Sequence, residues 1–319
     1  MSTQDGADIA VYTHGDPDAP VTVLLCHGWT MAAHHWRPHI DALTRPRQGF
    51  PAVRAVSYDQ RGHGCSTRGS AVLDMPLLGR DLARVLDAVT RDGAPVILLG
   101  HSMGGMAVQQ LAAREPGLFG TRVAGVGLIS TCLSEVTGGA TVSYNRRDTT
   151  ALRRLGWAQQ RIAGGLLRSP RSARTVHRLL TGPLSHPSTA PLWRAVFGSG
   201  PHTDTVRESA RAFRDIPVMA IAEFYAALTT HDCAGRLGAL GRLPTRVLVG
   251  ALDRVTPPAQ ARRLAADIPG AVLQTVPGQG HDLPYERPVL VVETVHALLR
   301  EMPRHLSSGD FSLSGPAAR

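Results

Sequence analysis

The chain has 319 residues, 43% of them hydrophobic, four cysteines and a formal net charge of +9. That length suits one large domain or a core with a smaller insertion, and no run approaches the ~20 continuous apolar residues of a membrane span. All 34 basic residues are arginine, which excludes a Schiff-base lysine and a phosphate-loop lysine.

The arginines are spread along the chain with few aromatics between them, so the charge reads as a solvated surface and nucleic acid is not an expected partner. The first residues show neither a basic nor an apolar leader region, so a cytoplasmic protein without stable membrane insertion is expected. Cys26, Cys65, Cys132 and Cys233 have no C-x-x-C spacing and read as reduced thiols. Cys26 precedes a His-Gly pair, a position that invites comparison with a nucleophile. It lies inside an apolar run and reads as core.

Ile9–Thr13 and Val21–Cys26 read as strands separated by a turn-rich stretch. The second is almost wholly apolar, as a strand covered on both faces should be, and it ends in His27-Gly28-Trp29. Trp29–Leu43 is a loop entering a helix. Arg54–Tyr58 is a further strand running into Asp59–Ser66, where an Asp59–Arg61 pair is expected to tie the loops and His63 to serve as a loop hydrogen-bonder. Met75–Thr90 carries Leu78, Leu82, Val85, Leu86 and Val89 at helical spacing.

The apolar run Pro95–Leu99 leads into Gly100-His101-Ser102-Met103-Gly104, with a helix expected from Met106 to Arg114. A strand, a G-x-S-x-G turn and a helix make a nucleophile elbow, in which Gly100 and Gly104 stand where a Cβ would meet neighbouring chain. Val123–Ile129 continues the alternation, which indicates a mostly parallel α/β sheet. From Ser134 to about Leu240 the alternation stops and the chain becomes arginine-rich. Leu152, Leu155, Ile162 and Leu166 recur at near-helical spacing, and Val218–Leu228 is a more apolar helix. A basic amphipathic stretch of this kind also suits a membrane surface, but Gly156, Gly164 and Gly165 interrupt any long regular face.

Thr245–Gly250 is a strand followed by Asp253, and Pro258–Ala266 a helix. Ala271–Val276 is a strand followed by Gly278-Gln279-Gly280-His281, and Val289–Leu299 the closing helix. Ser102, Asp253 and His281 thus each follow a strand's carboxyl end, the edge at which open α/β sheets bind ligands. A serine hydroxyl needs a neutral imidazole to take its proton, and that imidazole needs a carboxylate on its other nitrogen. Asp282 adjoins His281, but neighbouring side chains diverge, so it is a poor orienting partner. Fourteen histidines include no H-E-x-x-H spacing, and the adjacent His34 and His35 do not share a helix face, so no metal and no cofactor is expected.

His27-Gly28, D-x-R-G-x-G-x-S at Asp59–Ser66 and G-H-S-M-G-G at Gly100–Gly105, in that order, resemble the α/β-hydrolase superfamily over residues ~8–133 and ~243–300. The resemblance implies a mostly parallel sheet flanked by helices (residues 1–133 and 241–303) and a mainly helical cap inserted at 134–240; the small-residue stretch at the end, 304–319, reads as a disordered tail. The resemblance also implies Ser102 as nucleophile, His281 as base, Asp253 as orienter, and the backbone N–H groups of Trp29 and Met103 as an oxyanion hole. Glu135 occupies a place some relatives use for the acid. Epoxide hydrolases and haloalkane dehalogenases carry Asp at the elbow, and Ser102 disfavours both chemistries. The expected activity is hydrolysis of a small, moderately hydrophobic ester through an acyl-enzyme, with His101, Met219, Phe224, Tyr225 and Leu283 lining the pocket. Thioester, lactone or carbon–carbon cleavage, acyl transfer to peroxide, and non-catalytic ligand binding are the alternatives. The cap arginines would suit an anionic substrate instead.

Overall fold

The computed structural model describes residues 1–90, 93–134, 216, 218–303 and 306. Its frame is a seven-stranded sheet made of β1 (Val11–His14), β2 (Val21–Cys26), β3 (Val53–Tyr58), β4 (Val96–His101), β5 (Val123–Ile129), β6 (Thr245–Gly250) and β7 (Val272–Val276). The spatial order is β1-β3-β2-β4-β5-β6-β7. β1 pairs antiparallel with β3, and every other pair is parallel. Every residue of β2, β4 and β5 is buried, which explains their unbroken apolar runs: helices cover both faces, so alternation would place polar groups against helices.

Those helices are α1 (Arg37–Leu43), α2 (Met75–Val89), α3 (Met103–Arg114), α4 (Val218–Thr229), α5 (Pro258–Asp267), α6 (Leu283–Glu286) and α7 (Pro288–Glu301). On one face, Leu78, Leu82 and Leu86 of α2 join Met106 and Leu111 of α3 and Leu264 of α5 in one core. On the other, Ile40 and Leu43 of α1 pack with Val291, Val295 and Leu298 of α7. Asp74 caps α2 by accepting the Leu77 N–H at 2.6 Å, which satisfies one of the amides a helix start leaves without a partner. Among the described residues no helix is long and apolar enough to cross a membrane.

The central strands sit where hydrophobicity places them. One helix does not: α3 begins at Met103, three residues before the position expected from propensity. Gly104 and Gly105 weaken a helix by themselves, but here close packing needs them. A Cβ on Gly104 would lie 2.2 Å from the Cys26 carbonyl oxygen, and one on Gly105 would lie 2.8 Å from Thr131 Cβ. The first contact is with the backbone of β2 and cannot relax by side-chain rotation. Gly104→Ala is therefore expected to destabilise the fold by about 3 kcal/mol or more, read as a fall in Tm. An unchanged Tm would mean that α3 and β2 are not packed as described.

Within the segment 134–240, residues 134, 216 and 218–240 are described. Its two ends are neighbours: Ser134 bridges Asp232, and the Cys233 N–H donates to the Leu133 carbonyl at 3.0 Å. Leu152, Leu155, Ile162 and Leu166 lie outside the described residues, as does most of 304–319.

Candidate active site

The site begins with the way β4 ends. Ser102 follows its last residue with φ 51° and ψ −117°, a left-handed conformation rare for a side chain with a Cβ. The turn is held from both sides: the Ser102 N–H donates to the Ile129 carbonyl at 2.9 Å, and its carbonyl accepts from Thr131 Oγ1 at 2.8 Å and the Met106 N–H at 3.1 Å. Strain of this sort, of order 1–3 kcal/mol, persists where surrounding contacts impose it. Here it turns the hydroxyl towards His281, whose Nε2 lies 3.0 Å from Ser102 Oγ.

The other imidazole nitrogen meets a carboxylate. His281 Nδ1 lies 2.9 Å from Asp253 Oδ2 and 3.1 Å from Oδ1. Asp253 also accepts the N–H groups of Val255 and Thr256 at 2.9 and 2.8 Å and the Thr256 hydroxyl at 2.9 Å. Thr256 carries no signal of its own in the sequence; it is placed by an Asx-type turn in which Asp253 accepts the N–H groups two and three residues on. A carboxylate can only accept, so its partner nitrogen carries the proton, and Nε2 is left with a lone pair facing Ser102. Burial pulls the His281 imidazole down, but Asp253, with Asp282 and Glu286 behind it, outweighs burial and lifts it above the ordinary imidazole value.

The loop after β2 is fixed by two neutral histidines. His27 Nδ1 donates to the Gly28 carbonyl at 2.7 Å, and its Nε2 accepts the Gln60 N–H at 2.9 Å. His63 Nδ1 donates to the Arg61 carbonyl at 3.1 Å, and its Nε2 accepts the Thr30 N–H at 3.3 Å. Burial pushes both rings down to about 3, which keeps those acceptor lone pairs free of protons near neutrality. Asp59 contributes to the same loop by accepting the Ala33 N–H at 2.6 Å, the Cys65 N–H at 2.9 Å and the Tyr12 hydroxyl at 2.9 Å.

The expected Asp59–Arg61 pair needs correction. Arg61 turns instead to Asp81 on α2, at 2.6 and 2.8 Å, and to Asp5, at 2.7 Å. The two oxygens of Asp81 match the guanidinium fork, while both Asp59 oxygens accept from Ala33, Cys65 or Tyr12.

The expected pocket residues divide. His101 is fully buried and donates from Nε2 to the His281 carbonyl at 3.0 Å. It stands behind His281 and holds that residue's backbone. Leu283 is a core side chain beside Val291 and Val295, because α6 turns it inward. Phe224 is buried with its ring 5.0 Å from that of His63. Tyr225 is half-buried, with its ring 6.1 Å from that of Trp29. The side chain of Met219, and the whole of Glu135, lie outside the described residues. Cys26 is buried and pushed up to about 12 by that burial, so it holds a protonated thiol. A groove of about 590 Å³, lined by Tyr12, His14, Met31, His34, Asp59 and Cys65 among others, opens on the β1–β3 side and includes none of Ser102, Asp253 and His281.

Among the described residues, ligand atoms of His35, His101 and Asp282 lie within 4.8 Å of one another. His35 Nε2 lies 3.0 Å from Asp282 Oδ1 and His101 Nε2 holds the His281 carbonyl, while Asp282 Oδ2 and His101 Nδ1 have no hydrogen-bond partner among the described residues. The bonds that are made tie the cluster to the loop that carries His281.

Residues 23–294 match the model of the alpha/beta hydrolase family. The chain belongs to that family. Among its relatives is a bifunctional esterase/perhydrolase of Acinetobacter calcoaceticus, 36% identical over 116 residues, a stretch that is 36% of this chain and 39% of the relative. A putative carbamate hydrolase, RutD, of Variovorax paradoxus is 28% identical over 275 residues, covering 84% of this chain and 87% of that one. In three dimensions this alpha/beta hydrolase resembles an esterase from Exiguobacterium antarcticum, with a TM-score of 0.70, 18% identity, and coverage of 94% of this chain and 100% of the other. That last likeness is one of fold.

Proposed function

We propose that this alpha/beta hydrolase is a serine enzyme that cleaves a carboxylic ester-type bond of a small, moderately hydrophobic substrate through an acyl-enzyme. The observation that carries the reading is the unbroken line from Ser102 Oγ to His281 Nε2, 3.0 Å, and from His281 Nδ1 to Asp253 Oδ2, 2.9 Å, with the serine held on a strained turn. Ser102 Oγ attacks the carbonyl carbon as its proton passes to His281 Nε2. Asp253 supports the imidazolium that results. The negative charge on the former carbonyl oxygen is met by the N–H groups of Met103 and Trp29. Met103 opens α3, where first-turn amides have no helical acceptor, and a donor of this kind contributes ~2.7–4 kcal/mol. Collapse breaks the bond to the leaving alcohol, which takes the proton from His281. Water then attacks the acyl-serine with His281 again as base, releasing the acid.

Residues 134–240 are read as a cap over this site. Its two ends meet at Ser134 and Asp232, so the insertion leaves and returns at one place beside β5. Glu223 on α4 also takes Arg68 at 2.7 and 2.8 Å, fastening α4 to the loop after β3. Tyr225, facing Trp29, is the pocket residue this arrangement favours.

A fluorophosphonate probe should label Ser102, and a neutral p-nitrophenyl ester series should turn over with a burst of p-nitrophenol equal to the active sites. Absence of both from folded protein would end the reading. The carbamate hydrolase relative that spans most of both chains supports a second one, in which the same serine attacks a carbamate carbonyl. Comparing matched esters and carbamates separates the two. Every group in these steps belongs to the chain, so prolonged chelation is expected to leave turnover unchanged. A loss restored by added metal would contradict the mechanism.

A further inference from the structure

The loop that carries His281 is fastened by groups that the acyl-transfer steps do not use. His101 Nε2 donates to the His281 carbonyl at 3.0 Å, His35 Nε2 lies 3.0 Å from Asp282 Oδ1, and the Glu286 carboxylate accepts the Gly280 N–H at 2.9 and 3.0 Å. Asp282 and His101 are 0% exposed and His35 is 2% exposed. The His101 ring lies 5.1 Å from that of His281 and stacks at 6.2 Å and 12° on His35, which Tyr285 abuts edge-on at 4.0 Å.

A carboxylate taken wholly out of water is costly unless paired, and a loop that only needed a stop would be served by a neutral residue. Asp282 has one partnered oxygen, while Oδ2 has no hydrogen-bond partner among the described residues. That oxygen leaves part of the carboxylate's charge unmatched by a hydrogen bond in a low-dielectric setting.

We propose that Asp282, clamped by His35, and His101 form a second hydrogen-bonded layer that positions His281, with the Asp282 carboxylate supporting the imidazolium formed there during acyl transfer. This rests on His281 being the base. Asp282 and His101 are positioning residues, since neither touches the reacting atoms.

The charges that face His281 can be assigned by element. Asp253 comes from the loop after β6, His101 from β4, and Asp282 and Glu286 from its own loop and α6, with His35 from the turn before α1 behind Asp282. Ser102 and Thr256 add neutral hydroxyls. Burial alone would raise the Asp282 carboxyl, but His35 outweighs it and holds the group below the usual carboxylate range, ionised near neutrality. An anion beside an imidazole favours its protonated form. Removing that charge should lower the pH at which His281 titrates, so the base form survives to lower pH.

The test compares wild type with Asp282→Asn, which keeps an oxygen for His35 and loses the charge. The readouts are the pH profile of kcat/KM on a p-nitrophenyl ester and the ¹⁵N titration of the His281 ring by NMR. The acid limb and the ring titration should both move to lower pH, with the plateau kept within about tenfold. A folded variant in which neither moves overturns the proposal, because a merely structural role would change only plateau or Tm. If Asp282→Asn fails to fold, a second pair of variants carries the test. His101→Gln retains a donor and should keep kcat within about threefold, while His101→Leu should lose more than about tenfold in kcat at unchanged KM. Equal losses in the two overturn the proposal. Stoichiometric Zn²⁺ uptake by wild type that disappears in His35→Ala would assign the cluster to an ion, and overturns it too. Fluorophosphonate labelling of wild type tests the acyl-enzyme reading separately. Should that fail, the NMR titration still decides whether Asp282 acts on His281.

Discussion

Ser102→Ala is expected to abolish fluorophosphonate labelling and to lower ester turnover by about 10⁴–10⁶-fold, with Tm nearly unchanged. In the proposed mechanism Ser102 Oγ is the atom that forms the acyl bond, so its removal takes away the reacting group itself. Cys26 is a buried thiol pushed up to about 12, and its place inside β2 aims it at the core. The effect on the fold is small for a separate reason. What holds the turn is backbone: the Ser102 N–H to Ile129, and its carbonyl to Thr131 and Met106. Alanine keeps all of these and suffers the same left-handed φ, so only the hydroxyl's bond to His281 disappears, worth about 1 kcal/mol. The Michaelis complex should survive, so the variant ought to bind an ester it cannot cleave. Residual turnover of ~10³–10⁴ over water from the oxyanion hole and binding would remain. Wild-type rates in a folded, sequence-verified variant would mean that Ser102 is not the nucleophile.

The positions of Ser102 and Asp253 were legible because each follows a run of apolar residues, and such runs in an α/β chain are strands; His281 follows β7, an edge strand whose run Gln274 and Thr275 interrupt. A residue that follows a strand of a parallel sheet lies at the sheet's carboxyl edge, which brings all three to one edge, although the loop Pro277–Gly280 must still return His281 to Ser102. Pairings carried by long side chains were not legible. Arg61 lies two residues from Asp59, yet it pairs with Asp81, 20 residues on, and Asp5, 56 residues back, because α2 and the N-terminal segment bring carboxylates to its fork. Adjacent side chains diverge, which on sequence grounds makes Asp282 a poor orienting partner for His281. They do diverge, and for that reason Asp282 turns to His35, 247 residues away in sequence, a contact that only the closed sheet creates. Leu283 shows the same limit in apolar form. It is expected in the pocket, but the turn of α6 delivers the side chain to the core.

The second large effect concerns the acid. Asp253→Asn is expected to lower kcat by about 10⁴-fold with the fold retained, and the contacts of Asp253 explain why an isosteric change is so damaging. Oδ1 accepts the N–H groups of Val255 and Thr256 at 2.9 and 2.8 Å, while Oδ2 faces His281 Nδ1 at 2.9 Å. An asparagine must keep its oxygen on the two backbone donors, since an amide NH₂ there would place donor against donor. Its NH₂ then faces Nδ1, which must turn acceptor. The ring proton moves to Nε2 and points at Ser102, where a lone pair is needed. Asp253→Ala leaves the ring free to choose its tautomer, so the asparagine should be at least as impaired as the alanine, an order that simple loss of a hydrogen bond would reverse. The pH profile supplies a second sign. Asp253 is the main group lifting His281 above the ordinary imidazole value. Activity needs the neutral ring, so the wild-type acid limb should lie above the ordinary imidazole range and should move to lower pH once the carboxylate is gone. Combining Asp253→Asn with Ser102→Ala should add little to the serine variant alone, because the three side chains act as one unit. If Glu135→Gln were crippling while Asp253→Asn stayed active, the orienting carboxylate would belong to the segment after β5, and the bond between Asp253 and His281 would be structural.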